Sequence, residues 1–361
     1  MTARERQSYR GNEAAIVWRG EVPATGEARG ASFDTSRPGI AEWISREAAV
    51  AWAACGAFEW VALGYLSVSS ALIVLFAENL PHPLRLVGVQ SFVAAVILIL
   101  CWVEFRTAER AMRDIEIQSR TDKNICPAKS QKFWNFWRHW YPHLFFLFCF
   151  EELGKFMHVV TPGWQDAKLI AADYWLTGVH PPMWLEQFAT PGRNDFMQFA
   201  YLTYFTYLLV VGGVLYYRQD WRGYWSVMTY SAVCYAIGYV IAIVFPIESP
   251  WYSMAGAWHA PLQGGPFTAT INFIEHYGRV RGAAFPSEHV AGSVAALWGA
   301  WRHRRWLFWV MVPLVMCMCV STVWGRYHFV VDVLGGMVTG TLGYVIGCRI
   351  MKARGALATG V

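Results

Sequence analysis

Eight apolar stretches, at about residues 50–77, 84–104, 141–160, 197–217, 224–246, 288–302, 306–323 and 329–349, are each long enough, or nearly so, to cross a bilayer as a helix. Lipid offers the backbone no hydrogen bonds, so every N–H and C=O in such a stretch must find its partner inside the protein, and helices meet that demand one segment at a time. The composition agrees: 55% of the chain is hydrophobic, 16% aromatic and only 15% charged, off the profile of a soluble domain. The expected fold is an all-α polytopic membrane bundle of about eight transmembrane helices. Its divisions are a polar tail over residues 1–46, two additional helices and a basic loop over 47–134, six helices over 135–350, and a short tail over 351–361.

Basic residues set the orientation, because short loops rich in Lys and Arg stay in the cytoplasm. The N-terminal tail is rich in arginine and shows no apolar core of the signal-peptide kind after its charges. The loop over 105–140 carries Arg106, Arg110, Arg113, Arg120, Lys123, Lys129, Lys132 and Arg138. Arg218 with Arg222, then Arg302, Arg304 and Arg305, and finally Arg349, Lys352 and Arg354 complete the set. With eight spans all of these fall on one side, which places both termini in the cytoplasm. The intervening loops are poor in basic residues and face the periplasm or a lumen.

The net charge of +5 is concentrated in those cytoplasmic segments, where it suits anionic lipid heads, and gives no argument for nucleic acid. Seven of the eight cysteines (Cys55, Cys101, Cys149, Cys234, Cys317, Cys319 and Cys348) fall inside expected spans, and Cys126 falls in the basic loop. Neither a disulfide framework nor a zinc-ligand spacing follows.

Two short clusters carry the chemistry: Phe285-Pro286-Ser287-Glu288-His289, and Arg326-Tyr327-His328-Phe329-Val330-Val331-Asp332. Each puts a histidine at the mouth of an apolar segment, where an ionisable group is costly and usually serves function. His328 and Asp332 are four apart, so on a helix they would share a face, with the carboxylate fixing one imidazole nitrogen and freeing the other as nucleophile or base. Pro286 and Ser287 read as a helix start, with His289 in the first turn among backbone N–H groups that attract anions. Both clusters fall on the extracytoplasmic side of the topology drawn from the basic residues.

These residues resemble the type 2 phosphatidic acid phosphatase superfamily of membrane lipid phosphatases and phosphotransferases. Its second motif, Pro-Ser-x-His, is matched by Pro286, Ser287 and His289, and its third by Ser321, His328 and Asp332. The arginine of the third motif falls on Thr322, for which Arg326 is the expected substitute, and the first motif has no match. The stretches Phe245–Tyr252 and Leu262–Thr268 are similar to loops of the inositol phosphorylceramide synthase-like branch, and the similarity covers about residues 135–350. The resemblance implies a six-helix lipid phosphatase-like core and transfer of a phosphate-linked head group between lipids through a phosphohistidine. It makes His328 the nucleophile, Asp332 its support, and His289 the acid and base. Ser287 comes from the motif as a phosphate-binding residue. Arg326 and Arg281 join it only by proximity in sequence. Such chemistry calls for no metal and no other cofactor, and the partners are a membrane lipid substrate and the bilayer, with a homo-oligomer left open.

Hydrolysis of a polyprenyl or diacylglycerol phosphate is the alternative within the same chemistry. A transporter using the histidines as a proton relay is the reading from another class, and a metal site of Glu288, His289, His328 and Asp332 is a third. The relay is disfavoured because the last span is nearly apolar after Asp332. Glu151 and Glu152, inside the third expected span, read as paired or structural. The loop over 161–196, with Trp164, Asp173, Trp175, His180 and Trp184, reads as a lid or a head-group recognition loop. The abundant Trp and Tyr residues read as an interfacial belt.

Overall fold

The computed structural model describes residues 40–121, 129–278 and 280–359, and among them every regular element is a helix. Most of the expected tail, Cys126, the middle of the basic loop and the last two residues lie outside the described residues. Three helices come first: α1 (Ile40–Ala53), α2 (Ala57–Leu75) and α3 (Pro83–Thr121). Then follow α4 (Lys129–Leu153), α5 (Asp166–Thr177), α6 (Pro181–Glu186), α7 (Pro191–Leu202), α8 (Tyr204–Tyr217) and α9 (Trp221–Val244). The chain ends through α10 (Pro250–Ser253), α11 (Pro266–Gly278), α12 (Glu288–His303), α13 (Arg305–Trp324) and α14 (Val330–Thr359).

Six helical stretches have the length and composition to cross a membrane: 57–75, 83–110, 191–217, 221–244, 305–324 and 330–354. The third of these joins α7 and α8 through a break at Thr203. Two of the eight expected spans are not among the six. Helix α4 begins earlier than expected and ends at Leu153 rather than near residue 160, and it carries Arg138, His139, Pro142, Glu151 and Glu152 among its aromatics. Helix α12 has only 16 residues, which at 1.5 Å per residue reach about 24 Å. It has no need to meet lipid along its length, since Val290, Ala291, Ala295, Ala296 and Ala300 are fully buried.

The centre of the bundle is α12 packed against α9, α13 and α14, with α9 also against α14. Small residues make this approach close, as expected where packing rather than hydrophobicity holds helices together. On α14, a Cβ at Gly336 would lie 2.5 Å from the Ser287 carbonyl oxygen, and one at Gly340 would lie 2.5 Å from that of Ala291. One turn on, Gly343 and Gly347 do the same against Tyr230 and Cys234 of α9. The last helix is thus clamped to α12 by one glycine pair and to α9 by another.

The first three helices are joined to this core by a buried charge cluster. Arg138 of α4 pairs with Glu59 of α2 at 2.6 Å and with Glu104 of α3, and its guanidinium lies 4.1 Å over the Trp225 ring of α9. Tyr141 donates to Glu59 at 2.6 Å and the Gly56 N–H does so at 2.8 Å, so the carboxylate, fully shielded from solvent, has three partners.

Of the acidic pair in α4, Glu152 is buried and pairs with Lys155 at 3.2 Å, whereas Glu151 is exposed. The connector over 161–196 contains α5, α6 and the start of α7.

Candidate active site

Helix α12 begins as its sequence indicates. Ser287 is the N-cap, its hydroxyl accepting from the Val290 N–H at 3.4 Å, and Glu288 and His289 occupy the first turn. The Ser287 N–H donates to the Asp332 carbonyl at 3.0 Å, so the two sequence clusters are tied through their backbones.

The second cluster differs from a helical i, i+4 pair. Helix α13 stops at Trp324, Arg326 takes a left-handed φ of 64°, and the N–H groups of Tyr327 and His328 both donate to the Thr322 carbonyl, at 2.9 and 3.1 Å. His328 therefore sits in a tight turn ahead of α14. Asp332, in the first turn of α14, folds back to accept the Phe329 N–H at 2.7 Å and leaves His328 Nδ1 at 3.5 Å from its Oδ2. The nearer partner of Nδ1 is the Ala284 carbonyl, at 2.9 Å.

That carbonyl decides the proton positions. A carbonyl only accepts, so His328 Nδ1 carries a proton and, in the neutral ring, Nε2 presents a lone pair. Nε2 points at His289 Nδ1, 3.1 Å away. Burial first, and then the neighbouring His289, hold the His328 imidazole well below its ordinary value, so it is neutral at physiological pH. A buried, neutral imidazole with one nitrogen anchored and the other aimed into the site is the form a nucleophile needs.

The remaining sequence candidates have other partners. Arg326 is buried, donates to the Ala260 carbonyl at 2.8 Å, pairs with Glu186 of α6 at 3.2 Å and lies 4.1 Å over the Trp258 ring. Arg281 is largely exposed, pairs with Glu248 and lies near the Trp164 and Tyr252 rings. Glu288 turns away from the histidines. It packs against Gly238 of α9, and neither carboxylate oxygen has a hydrogen-bond partner among the described residues.

Several residues that position the site carried no motif. Asp166 and Asp173 lie seven apart on α5, two turns along one face. Asp166 accepts the N–H groups of Glu248 and Ser249 at 2.9 and 3.1 Å, and Asp173 accepts those of Val330 and Val331 at 3.0 and 2.9 Å. Asp173 thereby caps α14 just past His328, and burial raises its carboxyl pKa in spite of those two donors. Tyr201 of α7 reaches His289 Nε2 at 2.8 Å, and the Tyr204 ring lies 4.6 Å from the His289 ring. The tyrosines expected as an interfacial belt are in these cases inside the protein.

An anchored neutral imidazole beside a second imidazole offers a lone pair and, next to it, a group able to give or take a proton. Residues 167–346 match the family model of the PAP2 superfamily. The match supports the type 2 phosphatidic acid phosphatase resemblance, and with it an integral membrane enzyme acting on phosphoesters as a phosphatase or phosphotransferase. It contains both histidine clusters, α5 apart from Asp166, the helices α6 to α13, and α14 as far as residue 346. No curated protein and no solved structure matches the chain.

Proposed function

We propose that the protein transfers a phosphate-linked head group between membrane lipids through a phosphohistidine on His328, in the manner of the inositol phosphorylceramide synthase-like branch. The observation that carries this reading is the His328 geometry: Nδ1–H held at 2.9 Å by Ala284 and the Nε2 lone pair 3.1 Å from His289.

His328 Nε2 attacks phosphorus. The Ala284 carbonyl and the Asp332 carboxylate steady the positive charge that the ring gains. His289 protonates the leaving oxygen and then takes the proton of the incoming hydroxyl. Arg326 and Arg281 serve the phosphoryl oxygens by exchanging Glu186 and Glu248 for substrate, with the Ser287 turn shaping the seat. A recess lined by Trp184, Leu185, Phe188, Phe196, Met197 and Trp324, with Arg193 among its lining residues, lies four residues from His328 at Trp324 and suits a lipid chain.

The site faces the extracytoplasmic side. This is supported by α12, which has His289 in its first turn and Arg302 in its last, and by the Arg304–Asp220 pair at 3.0 Å, which joins two basic turns at the far end. Hydrolysis of a lipid phosphate is the second reading, favoured by the same histidine pair, since water and an alcohol differ only as acceptor.

The test is incubation of the purified protein in liposomes with labelled phospholipids and lipid phosphates, following free phosphate and new lipid for wild type and His328→Ala. A new phospholipid dependent on His328 supports transfer. Free phosphate alone makes the protein a phosphatase, and absence of any His328-dependent turnover overturns both.

A further inference from the structure

The hydrogen-bond chain through the two histidines does not end at His289. Its Nδ1 faces His328 Nε2, which lacks a proton in the anchored neutral ring, so His289 Nδ1 must donate there. Its other nitrogen, Nε2, meets the Tyr201 hydroxyl at 2.8 Å. If His289 is neutral, Tyr201 donates to Nε2; if it is an imidazolium, Nε2–H donates to the Tyr201 oxygen. A hydroxyl serves both states by rotating, which neither a carbonyl nor a carboxylate can do.

The tyrosine is itself fixed. It is buried, its ring lies 4.5 Å from that of Tyr327 and 5.1 Å from that of His289, and the Tyr327 hydroxyl donates to Gln198 at 3.1 Å, one turn before Tyr201 on α7.

We propose that Tyr201 is a positioning residue for the acid and base step, holding His289 with Nδ1 toward the reacting centre and supporting it in both protonation states. This rests on the phosphoryl-transfer reading above. In the first step the His328 Nε2 lone pair forms the bond to phosphorus, and the bond from phosphorus to the leaving oxygen breaks with its pair going to that oxygen. The oxygen takes the Nδ1 proton of protonated His289. The ring is left neutral with its remaining proton on Nε2, given to the Tyr201 oxygen. In the second step the acceptor oxygen bonds to phosphorus, the phosphorus–nitrogen pair returns to His328, and the acceptor's proton passes to His289 Nδ1.

The groups facing His289 are Tyr201 from α7, Tyr204 from α8 with Tyr235 of α9 behind it at 3.3 Å, and His328 with Asp332 from the turn into α14. Glu288 on its own helix points elsewhere.

Tyr201→Phe keeps the ring and removes the hydroxyl. Two readouts separate positioning from general support of the fold. Dodecyl phosphate leaves as an alkoxide that needs a proton, whereas 4-nitrophenyl phosphate leaves without one. The variant should lose about tenfold or more on the first and far less on the second, since only the first depends on general acid catalysis. In ¹⁵N-histidine spectra of the protein in detergent, with His289→Gln giving the assignment, the His289 titration should fall by roughly half a unit or more once the cation loses its acceptor. Equal slowing of both substrates, or an unmoved His289 titration, overturns the proposal. Should His328→Ala leave turnover unchanged, the phosphoryl-transfer reading fails, and the titration alone decides whether Tyr201 supports His289.

Discussion

At the scale of single residues, the site depends on which atom holds His328 Nδ1. The sequence spacing assigns that role to Asp332, but the Ala284 carbonyl is closer, at 2.9 against 3.5 Å. A main-chain partner forty-four residues away leaves no trace in side-chain identity. The motif residues His289, His328 and Asp332 were legible because their chemistry is in their side chains. Tyr201 was not, because an aromatic at the end of an apolar segment reads equally well as a membrane anchor. Asp332→Asn keeps an oxygen for the Phe329 N–H but loses the charge beside the imidazolium. Its melting temperature should stay near wild type while turnover falls by up to about four orders of magnitude, the loss seen when the carboxylate of a His-Asp pair is neutralised. The depressed His328 pKa has a definite sign. Nucleophilic attack needs the neutral ring, so the acid limb of kcat/KM for this group lies below its unperturbed value of about 6.5. The unfolded chain binds the proton more readily than the folded one, so this histidine also lowers stability as pH falls through about 6.5 and has no such effect above it. A kcat/KM profile from pH 5 to 8 checks the first statement, and melting over the same range checks the second.

At the scale of elements, the pairing of α12 with α14 sets the distance between the histidines. Gly336 abuts the carbonyl of Ser287, the residue that caps His289's helix, and Gly340 abuts that of Ala291. Gly340→Val cannot be accommodated without parting the two helices. It should lower both the melting temperature and the turnover of the protein that remains folded, measured by fluorescence-monitored melting and by activity per folded molecule. Asp173→Ala should act at the other face, removing the acceptor of the Val330 and Val331 N–H groups and costing about 0.5–2 kcal/mol, as for other lost caps. Asp173→Asn should recover most of that loss. The connector over 161–196 reads from its sequence as a lid or a recognition loop; its two acidic residues on α5 also hold the backbone at Glu248 and Ser249 and at Val330 and Val331, which spacing alone does not reveal because their partners are backbone groups. Expected spans are plain where a segment is long and uniformly apolar, as in α9 and α13, and less plain in α4, with its charged residues, and in the 16-residue α12. There, polar residues are sheltered by neighbouring helices rather than excluded.

At the scale of the whole molecule, three preceding helices join the core through the packing of α2 on α9 and through one buried charge cluster. Arg138 pairs with Glu59 and Glu104 and touches neither His289 nor His328. Arg138→Met leaves Glu59 buried and without its cation, which should destabilise the protein by about 3–5 kcal/mol. Per folded molecule, turnover should be retained. A large loss of turnover at unchanged stability would show that the first helices take part in the chemistry. The bundle class was legible from apolar length alone.

The central claim is that His328 becomes covalently phosphorylated. The most direct measurement is rapid quenching of the protein with a ³²P-labelled lipid phosphate, followed by tests of the label's stability. The expected result is protein-bound label that is lost in acid, survives in base and is absent from His328→Ala. Label that persists in His328→Ala, or turnover in wild type without any acid-labile intermediate, would contradict it.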